Sequence, residues 1–371
     1  MEFTVSKADL VRELNLSQGV VEKKTTIPIL SNILLEAKGG RVILTATDLE
    51  LGIRCSCPAK VKKEGAGTVP AKKLLDYVRL LPDTDITVKF LENHWASITC
   101  GRSRTKMAGM SRESFPELPQ MPDATNQLSS GLLSSMISKT IFAISMEESR
   151  FTLNGALLLI RPDSVVMVST DGHRLAYVEC QTGSDGDSRP FRALVPKKAM
   201  TEILKLSGEG GDEAKAVISG DDNHLFFQFG ERLLITRKLT GNFPDYERVL
   251  PKEHHQVVTL QRDEIKSAVE RVSQFADERS RAIRVQFGPG EVKVFTSSVE
   301  TGESEESVPT TYAGPEIDIG FNAQYLLDFL RAISQDEVSF ELKDQKSAGE
   351  MRPSGDVGNY RYRYVVMPMR I

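Results

Sequence analysis

The chain has 371 residues, 40% of them hydrophobic and 26% charged, with a formal net charge of −4. That is the composition of an ordinary globular protein with room for two or three domains, and it contains no apolar run of the 18 or more residues that a membrane-spanning helix requires. The net charge hides a gradient, from +3 over residues 1–124 through −1 over 125–252 to −6 over 253–371. Opposite ends of the chain thus carry opposite charge, a polarity that favours head-to-tail association of copies.

In chain order, the first segment opens on Met1-Glu2-Phe3-Thr4-Val5-Ser6-Lys7, with neither a basic nor an apolar leader region, so the cytosol is the expected compartment. A helix follows on Leu10, Val11 and Leu14. Strands are expected at Ile33-Leu34-Leu35 and Val42-Ile43-Leu44-Thr45, separated by the turn Lys38-Gly39-Gly40. After Pro70 a second helix runs on Leu74, Leu75, Val78 and Leu81, a further strand on Ile86-Thr87-Val88, and the segment closes at Phe115-Pro116-Glu117-Leu118-Pro119.

The same order recurs twice. Leu133, Met136 and Ile137 mark the next helix, Leu157-Leu158-Leu159-Ile160 and Val165-Val166-Met167-Val168 the strands, and Met200, Ile203 and Leu204 the helix after Pro196. The turn Asp221-Asp222-Asn223, the strand Leu225-Phe226-Phe227 and the joint Phe243-Pro244-Asp245-Tyr246 complete that segment. In the last, Ile265, Ala268, Val269 and Val272 form a helix, Gly288-Pro289-Gly290 a turn and Val292-Lys293-Val294-Phe295 a strand. Leu326, Phe329, Leu330 and Ile333 follow Asn322 as a final helix.

Pro70, Pro196 and Asn322 are spaced by 126 residues. On the same interval Lys72, Lys198 and Gln324 correspond, as do Asp76, Glu202 and Asp328, and Arg79, Lys205 and Arg331. A fixed interval of this kind marks an internal repeat. The expectation is three α+β domains, 1–124, 125–252 and 253–371, each laying two helices on antiparallel strands.

Lys72 and Arg79, Lys198 and Lys205, and Arg331 stand opposite the apolar stripes, with Asp76, Glu202 and Asp328 three residues before the second cation. A solvated helix face explains any one of them. Recurrence in all three repeats points to a row of cations on one concave surface, suited to a duplex backbone and indifferent to its sequence. Such contacts alone give weak, salt-sensitive binding, on the order of 10⁻⁴ to 10⁻⁶ M.

Catalytic signatures are missing from the sequence: it has no phosphate-binding Gly-x-x-x-x-Gly-Lys loop, no His-Glu-x-x-His and no Gly-x-Ser-x-Gly. Gly208-Glu209-Gly210-Gly211 reads as a turn and His254-His255 as linker surface. Asp171 and His173 are the one pair that could serve acid–base chemistry, and they lack an identifiable nucleophile, which favours a structural or binding role. Cys55, Cys57, Cys100 and Cys180 have neither the spacing of a zinc site nor the density of a disulfide framework, so they are read as reduced strand residues. Neither metal nor cofactor is expected.

Six segments spread over the chain are distinctive: Phe3-Thr4-Val5; Pro28-Ile29-Leu30-Ser31-Asn32; Thr47-Asp48-Leu49-Glu50; Thr170-Asp171-Gly172-His173-Arg174-Leu175-Ala176; Phe243-Pro244-Asp245-Tyr246; and Tyr364-Val365-Val366-Met367-Pro368-Met369-Arg370-Ile371. In this order they resemble the bacterial replicative sliding clamp, the beta subunit of DNA polymerase III. The resemblance implies a DNA clamp fold and a head-to-tail homodimer whose six domains close into a ring around duplex DNA. It also implies a non-enzymatic processivity factor, whose partners are the replicative polymerase catalytic subunit, the clamp loader, and other polymerases and repair factors that share a linear peptide motif.

For the peptide pocket the resemblance carries over Leu153, Thr170, Gly172, His173, Arg174, Leu175, Pro244, Arg248, Val249, Asn322, Tyr325, Val366, Met367, Pro368, Met369 and Arg370. For DNA it carries over Lys24, Lys72, Arg150, Phe151 and Thr152, the last two standing where the family often has an aromatic pair. Lys198, Arg79, Lys205 and Arg331 rest on the repeat. For the dimer seam, Arg102, Arg104 and Lys106 are set against Glu300, Glu303, Glu305 and Glu306, with Met107 and Phe275 as its apolar part and Thr105 where the family usually has an aromatic. An open scaffold that binds DNA without closing is the alternative.

Overall fold

The computed structural model describes residues 1–21, 26–123, 126–182, 189–209, 211, 214–253, 256–300 and 302–370. Six α-helices occur among them: α1 (Lys7–Ser17), α2 (Ala71–Leu80), α3 (Ser130–Ser138), α4 (Lys197–Ser207), α5 (Arg262–Val272) and α6 (Ala323–Ala332). Their starts have local causes. The Ser6 hydroxyl accepts from Asp9 N at 3.1 Å to cap α1, and the Asn322 side chain accepts from Gln324 N at 2.9 Å to cap α6. Asp263 and Glu264 lie in the first turn of α5 and Arg271 in its last, complementing the helix dipole.

Among the described residues all strand pairings are antiparallel and form four sheets. One compact unit comprises Met1–Ser134 with Lys198–Lys238 and holds two of them. Its five-stranded sheet runs Lys60–Lys63, Glu2–Ser6, Asp85–Phe90, Ala96–Cys100, Ser103–Met107. Its eight-stranded sheet runs Asn126–Ser129, Lys215–Gly220, His224–Phe229, Arg232–Arg237, Leu51–Pro58, Arg41–Thr47, Asn32–Lys38, Gly65–Pro70. The other unit comprises Ser135–Lys197 with Leu239–Ile371. Its eight-stranded sheet runs Phe191–Pro196, Gly155–Ile160, Ser164–Thr170, Arg174–Gln181, Tyr360–Val366, Gly349–Ser354, Glu337–Leu342, Gln256–Gln261. Its four-stranded sheet runs Gly302–Pro309, Glu291–Ser298, Ala282–Gly288, Ile317–Asn322.

Each eight-stranded sheet is thus two half-sheets of four, contributed by successive repeats. At the first joint Arg232–Arg237 pairs with Leu51–Pro58, and Ile235 stands opposite Gly52. At the second, Tyr360–Val366 pairs with Arg174–Gln181, and Val365 stands opposite Leu175. Among the described residues, the half-sheets with no partner inside the chain come from its two ends. Their edge strands, Ser103–Met107 and Gly302–Pro309, occupy the places in the repeat that make the joints elsewhere.

The strands alternate as a one-sided sheet requires. Ile53, Cys55 and Cys57 are buried while Arg54 and Ser56 are only half-buried, and burial pushes the Cys57 thiol up to about 12, where it is inert. All four cysteines are unbridged. The Lys38–Arg41 hairpin turns on Gly39 and Gly40, both in left-handed backbone (φ 56° and 76°), as a two-residue primed turn demands. On the helices, the expected stripes are buried except Val11 and Leu204, which are half-buried. In α4, Leu206 is buried in place of Leu204 alongside Met200 and Ile203, and so, against expectation, is Glu202. Gly19 has no side chain because a Cβ there would lie 2.2 Å from the Glu202 carboxylate.

Candidate functional site

The string Thr170 to Arg174 reverses the chain between two strands, and its side chains build the reversal. The Thr170 hydroxyl donates to Arg174 O at 2.6 Å and accepts from Gly172 N at 3.0 Å. One Asp171 oxygen accepts from His173 N at 2.9 Å and Arg174 N at 3.1 Å, an Asx turn. Gly172 sits at φ 90°, which glycine adopts without strain. Asp171 therefore shapes the loop rather than pairing with His173 for acid–base chemistry.

Arg174 is the anchor. Its Nε donates to Asp171 Oδ2 at 3.0 Å, its Nη1 to Asp328 Oδ2 at 2.6 Å and its Nη2 to Phe142 O at 2.5 Å. The guanidinium lies 4.2 Å from the Tyr325 ring centroid and 5.6 Å from that of Phe142. Burial opposes its charge, but Tyr364, Asp328 and Asp171 outweigh burial and raise its pKa. Asp328 is completed by Gln324 Nε2 at 2.7 Å. Asp328, three residues before Arg331 and so placed to pair with it locally, is taken by Arg174 instead, and Arg331 pairs with Glu270 at 2.8 Å.

The C-terminal strand extends the site. Met367 N donates to His173 O at 2.9 Å, one step beyond the last sheet pair, and Met369 N donates to Gly320 O at 2.8 Å. Val366 is buried, Met367 is 47% exposed, Pro368 and Met369 are half-buried and Arg370 is exposed. Beneath the loop lies an apolar cluster of Leu157, Val166, Val168, Leu175, Tyr177, Leu194, Phe243, Tyr246 and Val365, with Leu153 against it. Pro244 lines an adjoining cleft of about 480 Å³ with Phe243, Tyr246, Arg161 and Arg192. Arg248, exposed, pairs with Asp245 at 2.8 Å, and its neighbour Val249 is also exposed. Asn322 is engaged as the α6 cap, with its amide donating to Ser280 O at 3.3 Å, while Tyr325 O accepts from the Tyr364 hydroxyl at 2.9 Å. The structure thus gathers Leu153, Thr170, Gly172, His173, Arg174, Leu175, Tyr325, Val366 and Met367 around one loop. Phe142, Asp328 and Tyr364 hold it together; the sequence carried no signal for Phe142, and it marked Asp328 through the repeat and Tyr364 through the C-terminal motif without pointing to this role.

Among the other expected residues, Lys24 lies outside the described residues. Lys72 is exposed on α2, and Arg79 donates to Asn15 Oδ1 on α1. Lys198 pairs with Asp48, and Lys205 pairs with Glu202 at 2.7 Å. Arg150 pairs with Glu147 at 2.8 Å and donates to Asp171 O at 2.8 Å, Phe151 is 70% exposed, and Thr152 is half-buried.

Arg104 and Lys106 are exposed on the edge strand Ser103–Met107, preceded by exposed Arg102. Glu303 and Glu305 are exposed on Gly302–Pro309, and Glu300 in the turn before it. Two seam expectations change. Glu306 alternates to the half-buried face, where Arg271 takes both its oxygens at 2.7 and 2.8 Å and lowers its pKa. Met107 alternates inward too and is only 4% exposed, so it serves its own core, while Phe275 remains 39% exposed. No group of three or more His, Cys, Asp or Glu that could hold a metal ion occurs among the described residues. Among them, too, no helix is long and apolar enough to cross a membrane.

Three like domains that share half-sheets in one strand order define the DNA clamp fold. The comparisons agree. The DNA polymerase III beta subunit N-terminal domain matches residues 1–119, its central domain 127–245 and its C-terminal domain 247–370. The beta sliding clamp of Pseudomonas aeruginosa is 34% identical over 373 residues, with all of both chains covered. Two solved structures, both of DNA polymerase III subunit beta sliding clamps bound to griselimycin, cover all of both chains. The one from Pseudomonas aeruginosa has TM-score 0.93 at 33% identity, and the one from Bartonella birtlesii 0.92 at 35%. The chain belongs to the DNA polymerase III beta subunit family and is a DNA sliding clamp.

Proposed function

We propose that two copies close head to tail into a ring around duplex DNA and act without catalysis, tethering the replicative polymerase and other factors. The observation that carries this is the pair of unpartnered half-sheets. Inside the chain, every strand in the position of Ser103–Met107 pairs with one in the position of Gly302–Pro309 from the preceding repeat. A second copy supplies the missing pairing at both ends, and a two-fold arrangement leaves neither edge open. With buried faces matched and the register of the joints kept, Lys106 falls opposite Glu303 and Arg104 opposite Glu305. Thr105 then faces Ser304 on the inner side, so hydroxyls replace the aromatic packing usual in the family and the charged outer rows carry more of the closure.

Topology then explains how weak cation contacts suffice. Lys72, Arg79, Lys198, Lys205 and Arg331 are assigned to the phosphate backbone, with Arg150, Phe151 and Thr152 at the loop beside the peptide site and Lys24 carried over from the family. Several of these cations hold an internal carboxylate, which lowers the affinity further and favours sliding. The loop around Arg174, with Met367 exposed on the adjoining strand end and Val249 exposed next to Arg248, is assigned to a linear peptide from polymerases, the clamp loader and repair factors. Duplex DNA as its track places the protein in the cytoplasm.

The test loads the protein onto nicked circular DNA with its clamp loader and then linearises the circle. Loss of bound protein on linearisation is expected, together with a dimer in sedimentation. Retention on linear DNA at high salt, or a monomer at micromolar concentration, supports the open scaffold instead.

A further inference from the structure

The first joint reproduces the loop-shaping bonds of the second. Thr47 Oγ1 donates to Leu51 O at 2.9 Å, as Thr170 does to Arg174 O. Asp48 Oδ1 accepts from Glu50 N at 3.0 Å and Leu51 N at 2.7 Å, as Asp171 does from His173 and Arg174. Arg237 N donates to Glu50 O at 2.9 Å, where Met367 N donates to His173 O at the same distance. Leu49 holds φ 79° where Gly172 holds φ 90°. A leucine kept in left-handed backbone is strained by about 1–2 kcal/mol, and here it stands partly exposed at the mouth of a cleft.

That cleft has a volume of about 480 Å³, within the range of ordinary ligand sites. Its floor is built from different residues. Where the second joint packs Leu175 and Tyr246, the first has Gly52 and Leu118, with Leu118 Cδ2 only 2.8 Å from where a Gly52 Cβ would be. Its rim differs in charge as well. Glu50 and Glu117 replace His173 and Asp245, and the cation on the rim, Arg237, lies 3.7 Å from Glu50. Among the described residues Glu117 makes no ion pair, so the rim carries one uncompensated negative charge.

We infer that the cleft at the first joint is a second linear-peptide site. It takes an extended segment with an apolar side chain against Leu118 and a Lys or Arg beside Glu117. The ligand class rests on reading the second joint as a peptide pocket. The additional negative charge on the rim of the first joint means that the two sites select different partners.

The probe is a fluorescein-labelled capped peptide, Gly-Lys-Leu-Phe-Lys-Gly, titrated by anisotropy into the full-length protein at low salt, beside its counterpart Gly-Asp-Leu-Phe-Asp-Gly. Saturable binding of the basic peptide, one per chain, is expected. It should weaken about tenfold in Glu117→Lys, whose side chain is exposed, and in Leu118→Ser, which removes the apolar contact, and stay unchanged in Arg248→Glu. No saturation up to about 1 mM, or a loss in Arg248→Glu without one in Glu117→Lys, overturns the inference. The acidic peptide reports separately on the second joint: if it binds and is lost in Arg248→Glu while the basic peptide fails, only the first-joint site is wrong.

Discussion

Arg174→Ala tests whether Arg174 holds the peptide loop in place or simply contacts the peptide. The substitution removes three charge-assisted or carbonyl bonds at 2.5–3.0 Å and the stack on Tyr325. Bonds to charged groups contribute about 1.5–3 kcal/mol each, but they do not add when their partners are rescued. Asp171 keeps its two backbone donors and Asp328 keeps Gln324, and their side chains are 15% and 19% exposed, so water replaces part of the loss. We set the net cost at ~3 kcal/mol, the low end for breaking a buried ion pair. For a compact unit of about 200 residues, 1 kcal/mol corresponds to ~2–4 °C, so the transition of the unit holding residues 239–371 should fall by ~6–12 °C. Differential scanning calorimetry reads this, with Asp328→Asn and the double variant closing a cycle whose coupling should be ~1–3 kcal/mol. A loss under ~1 kcal/mol, or singles that add within ~0.5 kcal/mol, refutes the anchor. Arg248→Ala, by contrast, should lower peptide affinity and leave the transition in place.

Glu350 is buried, with Arg363 at 2.5 and 2.7 Å and Arg352 at 2.6 Å. Burial opposes its charge but the two arginines prevail, so its pKa lies below the usual 4.5. Stability from this group is complete above pH 4.5 and lost as the pH falls through the lower folded value, so acid titration of Glu350→Gln should show a shallower decline than the parent over that window. Gly172→Ala should destabilise by ~1–2 kcal/mol, since alanine resists φ 90° and its Cβ would meet Arg150 Nη1 at 2.9 Å. Leu49→Gly, at the matching position of the first joint, should stabilise by ~0.5–1 kcal/mol once the added unfolded-chain entropy is subtracted, and urea unfolding distinguishes the two signs. Lys106→Cys with Glu303→Cys should form an intermolecular disulfide on mild oxidation, while a pairing shifted by one residue would put the two thiols on opposite faces and leave them reduced.

The helices and hairpins were legible because each is a local pattern: Leu74, Leu75 and Val78 at helical spacing, Gly39 and Gly40 at a primed turn, Asn322 as a cap. Partner strands across the joints were not. Leu233 meets Arg54 and Arg174 meets Val366, pairings set by half-sheet shape rather than by neighbouring residues. Arg174 was legible as a pocket residue through its motif, but its partners lie 32 residues away at Phe142 and 154 away at Asp328, beyond any local pattern. Helical spacing placed Asp328 beside Arg331, yet the more buried guanidinium of Arg174 has the stronger claim on that carboxylate. In the same way, alternation along Gly302–Pro309 divided a glutamate run that reads as one charge block, turning Glu306 inward to Arg271 and leaving Glu303 and Glu305 outward.

The repeat also fixes what may differ between joints. Backbone hydrogen bonds, the Asx loop and the strand register are shared, because each half-sheet must meet the next with its buried face aligned. Side chains above the sheet are under no such constraint, and it is there that Leu175 and Tyr246 give way to Gly52 and Leu118, and His173 to Glu50. At the unpartnered ends the interior apolar pairs, such as Leu234 opposite Ile53, give way to Thr105 and Ser304. Joints within a chain form once, during folding, and gain from apolar contact. In the ring proposed above, the joint between copies opens to admit DNA and closes again, and hydroxyls flanked by Arg104, Lys106, Glu303 and Glu305 suit that task, because exposed charged edges resist aggregation when unpaired and attract each other across the gap.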